Sequence, residues 1–159
     1  MDEILNILRK SARTSVEDIA RMTRSTPVAV AAKIAEYEQA GTIRGYRTLL
    51  NEDHLQEDSV TAVIEVKVQP EREGGFARIA RRISGFPEVV NLHLMSGKYD
   101  LLLFVEGKNL REVAQFVSER LATLDGVLST GTHFMLKTYK QDGVLMDGER
   151  VDDRLQISP

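Results

Sequence analysis

The hydrophobic period of this chain changes once, and that change limits the folds that the sequence can adopt. Up to Gly41 the apolar residues recur at the spacing of an amphipathic helix. From Ser59 onwards they alternate with polar residues, which is typical of a strand with one buried face. A chain of 159 residues is long enough for two small domains. The predicted divisions are a helical unit (1–50), a linker (51–59), an α+β domain (60–140) and a tail (141–159).

Three helices are predicted in the first division from their capping residues. The first covers Asp2–Lys10, and Ser15 caps the second. Thr26 followed by Pro27 is an N-cap and first helical residue for the third helix, which Gly41 ends. Two short helices joined by a tight turn have the spacing of a DNA-binding helix-turn-helix. A three-helix bundle without a ligand is the alternative that the pattern leaves open.

Basic residues are concentrated in this first division. Residues 1–50 contain eight Lys/Arg and six Asp/Glu, whereas the whole chain has a net charge of -3. The segment Thr42–Leu49 alternates, has Gly45 near its middle and includes Arg44 and Arg47. We therefore expect a short strand or wing that lies beside the DNA backbone.

The second division predicts strands and helices in the order βαββαβ. The predicted elements are a strand (Val60–Val68), a helix (Glu73–Ser84), two strands (Val89–Met95 and Tyr99–Val105), a helix capped by Asn109 with Leu110, Val113, Phe116, Val117 and Leu121 inward, and a last strand (Val127–Tyr139). This order is that of the split βαβ, ferredoxin-like fold, an antiparallel four-stranded sheet with two helices on one face. Several strands have apolar residues in both alternation classes, so we expect a second copy to cover the open face of the sheet. The tail either adds an edge strand at Arg154–Ile157 or is a solvated, unordered segment.

Several functional classes are excluded by what the sequence lacks. The chain has no cysteine, which rules out disulfides, thiolate nucleophiles and zinc fingers. His54, His93 and His133 are too scattered for a metal site, so we expect neither a metal nor another cofactor. No catalytic Ser/His/Asp set or glycine-rich phosphate loop is present, and an enzyme is not expected. No apolar run approaches the length of a membrane span, so a cytoplasmic protein is expected. Association with the nucleoid is expected from the predicted DNA binding.

From Ser15 to about Lys140 the sequence resembles the Lrp/AsnC family of leucine-responsive and asparagine-responsive transcription regulators. The resemblance depends on the order and spacing of Ile19-Ala20, Thr26-Pro27 with Val30 and Ile34, Gly41 to Tyr46, Ser96 to Leu101, Thr130 and Thr132. It implies a regulator that binds double-stranded DNA and responds to a small-molecule effector, with an amino acid as the expected class. It also implies a homodimer formed through the sheet, assembly of four dimers into an octamer, and an effector pocket between dimers.

The resemblance places the effector site at the turn between the second and third strands. The matching residues are Ser96, Gly97, Lys98, Tyr99 and Asp100, together with Thr130 and Thr132, which are expected to face the turn. Gly97 lets a ligand approach the backbone, Asp100 can pair with an α-amino group, and Thr hydroxyls can hold a carboxylate. The alternative is a tight turn in which Asp100 satisfies only its own backbone.

The third helix departs from the family pattern, which usually has several basic or polar residues there. Its candidate DNA contacts are Val28, Ala29, Ala32 and Lys33, of which only Lys33 is a cation. We therefore expect phosphate contacts to dominate, from Arg24, Ser25, Thr26, Arg44 and Arg47. Two possibilities stay open: weak base readout compensated by several linked modules on deformable DNA, or apolar contact with thymine methyl groups. A sensing or oligomerising module with little DNA binding is the alternative function.

Overall fold

The computed structural model describes residues 2–51, 54–55, 59–70 and 75–146. The chain divides into two compact units, Met1–Leu50 and Asn51–Pro159. The division falls where the helical period of the sequence ends. Each unit has a hydrophobic core of its own.

The first unit consists of three helices, α1 (Glu3–Lys10), α2 (Val16–Met22) and α3 (Pro27–Gln39). Their apolar stripes meet at a small core in which Ile19, Ala20 and Val30 are buried. Partly buried residues from all three helices complete this core, namely Ile4, Ile7, Leu8, Val16 and Ile34. The helix-turn-helix predicted from the sequence is therefore formed.

The predicted caps of α2 and α3 are present, and they explain where these helices begin. The Ser15 hydroxyl accepts a hydrogen bond from the backbone N–H of Asp18, at 3.1 Å. The Thr26 hydroxyl accepts one from the N–H of Ala29, at 3.2 Å. Both bonds satisfy donors that the first turn of a helix leaves without a partner. Gly41 has a positive φ of 70°, which suits its position just after α3.

The strand predicted over Thr42–Leu49 is not formed, and this expectation was wrong. The segment continues from α3 without regular structure. The Ile43 N–H donates to the carbonyl of Tyr37, and the Tyr46 hydroxyl donates to the Glu38 carboxylate at 2.8 Å. A strand needs a neighbouring strand, and the described residues of this unit provide none.

The second unit is an antiparallel sheet with helices on one side. Its elements are β1 (Val60–Val68), α4 (Ala77–Ser84), β2 (Val89–Leu94), β3 (Leu101–Gly107), α5 (Leu110–Phe116) with a π-helical turn (Val117–Leu121), and β4 (Val127–Phe134). The strands are ordered β2-β3-β1-β4. This is the ferredoxin-like arrangement predicted from the sequence. A two-stranded hairpin follows, made of β5 (Lys140–Gln141) and β6 (Val144–Leu145).

The core of this unit lies between the sheet and the two helices. Alternate residues of the central strands β1 and β3 are buried there, because successive side chains of a strand point to opposite faces. The buried set is Ala62, Ile64, Val66, Val68, Leu101, Leu103 and Val105 from the strands, with Ile79, Ile83, Val113, Phe116 and Leu121 from the helical segments.

Some predicted boundaries in this unit were wrong. α4 begins at Ala77 rather than Glu73, and residues 73–74 lie outside the described part of the chain. Leu110, predicted to point inward, is 56% exposed because it lies in the first turn of α5, ahead of the buried stripe. β4 ends at Phe134 rather than Tyr139, and the two-residue strands β5 and β6 were not predicted. The candidate strand Arg154–Ile157 lies outside the described residues.

The open face of the sheet is more polar than the sequence suggested. Its residues are Thr61, Val63, Glu65 and Lys67 on β1, Asn91 and His93 on β2, Leu102, Phe104 and Glu106 on β3, and Ser129, Gly131 and His133 on β4. The His133 Nε2 lies 3.8 Å from the Glu65 Oε1, and His93 makes an edge contact with the ring of Phe104. The two sheet histidines thus lie among apolar and acidic neighbours, as expected for ordinary sheet residues.

Candidate DNA-binding and effector-binding sites

The turn between α2 and α3 brings Arg24, Ser25 and Thr26 to the beginning of α3. Arg24 is in the left-handed region, with φ of 52°. This conformation lets the Ser25 N–H donate to the carbonyl of Ala20, at 2.9 Å, which closes the end of α2. All three residues of the turn are exposed. The turn therefore presents one cation and two small polar side chains beside the N-terminus of α3.

The first two turns of α3 present an apolar outer face. Val28 is 80% exposed, and Ala29 and Ala32 are exposed as well. Val28 and Ala32 are four residues apart and so lie one above the other on the same side of the helix. Val30 occupies the opposite side, in the core. The predicted contact residues Val28, Ala29 and Ala32 are thus accessible together.

Lys33 is half-buried and has partners within the protein. Its Nζ lies 2.9 Å from each carboxylate oxygen of Glu36 and 5.0 Å from the centroid of the Tyr37 ring. The hydrogen bond to Glu36 raises the pKa of Lys33 above its ordinary value, and the Asp2 carboxylate contributes in the same direction. The single cation of α3 is therefore paired within the unit.

Arg44 and Arg47 follow α3 and are exposed. The guanidinium of Arg44 packs over the backbone at Gly41, where an added Cβ would lie 3.3 Å from its Cζ. α3 has 13 residues, so its ends are separated by roughly 20 Å. Arg24 lies at one end and Arg44 at the other. The Tyr46–Glu38 hydrogen bond, which was not predicted from the sequence, holds the segment containing both arginines against α3.

In the second unit, Ser96, Gly97 and Lys98 are exposed in the loop between β2 and β3, whereas Tyr99 and Asp100 are half-buried. The loop closes through a bond from the Met95 N–H to the carbonyl of Asp100, at 2.8 Å. Gly97 has φ of 134°, and an added Cβ there would have no atom within 4 Å. The backbone at this position is open to an approaching group.

Asp100 joins this loop to β1. Its Oδ2 accepts a hydrogen bond from the Val68 N–H at 2.9 Å, and its own N–H donates to the carbonyl of Val66. Its Oδ1 lies 3.6 Å from the Nζ of Lys67, which also donates to the carbonyl of Lys98. Asp100 Oδ2 therefore satisfies a backbone N–H of the neighbouring strand β1, and Oδ1 is the oxygen that faces a cation.

Thr130 and Thr132 do not face the loop within a single chain, which corrects the sequence-based expectation. They are paired with Val66 and Ile64 across β1, on the side of the sheet that α4 and α5 cover. The loop lies on the other side of β1, next to β3, so roughly 10 Å separates Thr130 from Asp100 across two strand spacings. The structure brings Asp100 and Thr130 to the same end of the sheet, and Thr132 lies two residues further along β4.

The described residues form neither a metal site nor a membrane span. No cluster of three or more His, Asp or Glu side chains there has the arrangement of a metal site. No helix among the same residues combines the length and the apolar character of a membrane span.

A three-helix helix-turn-helix unit followed by a ferredoxin-like domain defines a two-domain class of helix-turn-helix transcription regulators. The family model described as the Lrp/AsnC ligand binding domain matches residues 61–145. An uncharacterized HTH-type transcriptional regulator of Bacillus subtilis, YugG, is 41% identical over 158 residues, which is 99% of this chain and 95% of that protein.

Two further relatives have similar coverage. The leucine-responsive regulatory protein of Haemophilus influenzae is 26% identical over 91% of this chain and 86% of its own length. A transcriptional regulator from Neisseria meningitidis, solved as a complex with L-Met, has a TM-score of 0.66 and 25% identity, covering 87% of this chain and 89% of that one. The chain belongs to the Lrp/AsnC family, and it is a helix-turn-helix transcriptional regulator.

Proposed function

We propose that the first unit binds double-stranded DNA through the α2–α3 turn and the outer face of α3. The observation on which this proposal rests is the exposed N-terminus of α3, where Arg24, Ser25 and Thr26 lie beside the accessible Val28. In helix-turn-helix proteins this end of the second helix approaches base edges, while flanking cations and small polar groups contact phosphates. Arg44 and Arg47 would add phosphate contacts beyond the other end of α3. Such binding would associate the protein with the nucleoid in the cytoplasm.

We further propose that the second unit binds a small-molecule effector, with an amino acid as its class. The complex of the Neisseria relative with L-Met supports this class. The candidate residues remain Ser96, Gly97, Lys98, Tyr99 and Asp100, together with Thr130 and Thr132. Because Thr130 and Thr132 are separated from the loop by β1 within one chain, a pocket using both sets would need a second copy.

Dimerisation through the open face of the sheet is the assembly that best fits this arrangement. Val63, Leu102 and Phe104 provide its apolar centre, and the Glu65–His133 pair lies beside them. All three are half-buried in the isolated chain, and a second copy of the sheet would cover the apolar area that remains accessible. Four such dimers would form the octamer, and an effector that prefers one arrangement of dimers would change the spacing of the DNA-binding units.

A sensing or oligomerising module with little DNA binding is the second candidate function. The pairing of Lys33 with Glu36 favours it, because this pairing leaves the exposed part of α3 with few groups that attract DNA. Catalysis is not proposed, since the named relatives are transcriptional regulators.

Light scattering and gel shift would test these proposals together. The purified full chain would be measured with and without a mixture of the twenty amino acids, and then mixed with the DNA upstream of its own gene under both conditions. A large assembly whose size or DNA binding changes with the mixture would support an effector-responsive regulator. If the protein binds none of the DNA fragments, only the second candidate function, a sensing or oligomerising module, remains.

A further inference from the structure

We propose that Val28, Ala29 and Ala32 recognise DNA by contact with the 5-methyl groups of thymine in the major groove. This inference rests on the proposed DNA binding and specifies what α3 reads. The ligand is therefore a duplex with thymines placed along one major-groove face.

The part of the outer face of α3 formed by Val28, Ala29 and Ala32 has no side chain that can exchange hydrogen bonds with base edges. The exposed polar residues Glu36 and Gln39 lie further along the helix. The Thr26 hydroxyl accepts from the N–H of Ala29, and Lys33 is paired with Glu36. Between these two residues, Val28 is 80% exposed and the alanines beside it are exposed too. Apolar side chains make one specific kind of base contact in the major groove, which is contact with the thymine methyl group.

Val28 is the largest group on this face. Val28 and Ala32 are one helical turn apart, so both reach the same surface. The small side chains of Ala29 and Ala32 allow the backbone of α3 to approach the groove closely, and Val28 projects beyond them. We therefore expect Val28 to contribute most of the discrimination.

The cations that flank α3 favour DNA rather than a protein as the occupant of this face. Within the described part of the chain, Arg24, Arg44 and Arg47 form no ion pair. Arg24 and Arg44 lie at opposite ends of the helix, so they would contact phosphates of the DNA backbone on the two sides of the major groove. Protein interfaces, by contrast, are depleted in alanine and enriched in aromatic residues.

The test replaces thymine by uracil, which removes the methyl group without changing base pairing. A duplex enriched from a random pool by the full chain is amplified with dTTP or with dUTP, and each form is titrated in a gel shift. A buried methyl group contributes about a fourfold change in affinity, so two contacts give about a tenfold or larger loss on the uracil form. Equal affinity for the two forms would overturn the inference while leaving DNA binding intact.

Two variants distinguish contact from a change in DNA flexibility. Val28→Ala should lower the thymine-to-uracil affinity ratio, whereas a flexibility effect would leave that ratio as in the wild type and would refute the inference. Arg24→Ala should weaken binding to both forms equally, because phosphates are the same in each. Failure of the wild type to enrich or bind any duplex would refute the proposed DNA binding itself.

Discussion

The carboxylate of Asp100 accepts a hydrogen bond from the backbone N–H of Val68, with 2.9 Å between the oxygen Oδ2 and the nitrogen. This bond joins the end of the β2–β3 loop to the last residue of β1. The second oxygen, Oδ1, lies 3.6 Å from the Nζ of Lys67. Asp100 therefore positions the candidate effector loop before any ligand arrives.

Substitutions of Asp100 separate this structural role from ligand binding. Asp100→Ala leaves the Val68 N–H without its partner and should lower the free energy of unfolding by about 1–3 kcal/mol, measured by urea denaturation. Asp100→Asn keeps a carbonyl acceptor for the Val68 N–H, so its free energy of unfolding should fall by much less. If Oδ1 holds the α-amino group of an effector, the Asn variant folds normally but loses its response to the amino-acid mixture. A wild-type response in the Asn variant would contradict that role.

The caps of the helices were predictable from the sequence because they are local. Ser15, Thr26 and Asn109 each bond to a backbone N–H three residues later, so the relevant spacing is visible in the chain itself. The strand expected at Thr42–Leu49 depended on a neighbouring strand, which local alternation does not reveal. The hairpin turn at Asp142 and Gly143 had a recognisable sequence signal, since an Asp-Gly pair favours a two-residue turn with positive φ at both positions.

The candidate sites were less predictable than the fold. Alternation within β4 indicates that Thr130 and Thr132 share a face, but only the register with Val66 and Ile64 shows that this is the helix-covered face. The pairing of Lys33 was also hidden, because a lysine three residues before Glu36 is equally compatible with a side chain free to meet DNA. Positions of side chains relative to other elements require the tertiary structure.

Arg24→Gly should separate stability from DNA binding. Arg24 has φ of 52°, a conformation that costs a residue with a Cβ roughly 1 kcal/mol and costs glycine almost nothing. We expect the variant to keep the wild-type free energy of unfolding or to exceed it by up to about 1 kcal/mol. Its DNA affinity should fall, and the slope of affinity against salt should decrease by about one counterion. A large loss of thermal stability would contradict the assigned conformation.

The Asp2 carboxylate should make α1 sensitive to acid. The hydrogen bond from Tyr37, with the bond from the Ile4 N–H, lowers the pKa of Asp2 below its ordinary value. A lowered pKa means that the stabilisation is present above the unfolded-state pKa and is lost as the pH falls through the folded-state value. Backbone chemical shifts of Ile4 and Leu5 should therefore report fraying of α1 in strong acid. Asp2→Asn should remove this dependence, and an unchanged acid transition would argue against it.

Gly107→Ala should destabilise the second unit. An added Cβ at Gly107 would lie 2.9 Å from the Cγ2 of Val113, a buried side chain of α5, and 3.5 Å from its backbone nitrogen. Relief of this overlap requires movement in a packed core, which typically costs about 1–3 kcal/mol. Gly85→Ala is the matched control, because its nearest contact is 3.4 Å and its φ is negative. Equal unfolding midpoints for the two variants would contradict the close packing of β3 against α5.

Val63→Lys tests whether the open face of the sheet forms the dimer. Val63 is paired with Phe104 on one side and His133 on the other, at the centre of that face, and no helix covers it among the described residues. In an isolated chain the lysine would reach water, so circular dichroism and thermal unfolding should stay close to the wild type. In a face-to-face dimer the added ammonium would lose its contact with water at the apolar centre of the interface, and the Kd of the dimer should rise by at least about tenfold.

The matched control for this variant is Ala114→Lys, which adds the same charge at an exposed position of α5, on the other side of the sheet. Sedimentation velocity over a concentration series should give a monomer for Val63→Lys and at least a dimer for the control. A Val63→Lys protein that keeps the wild-type mass would place the dimer contact elsewhere. Loss of the dimer in Ala114→Lys alone would place the dimer contact on the helices, because that substitution changes only the helix-covered side of the unit.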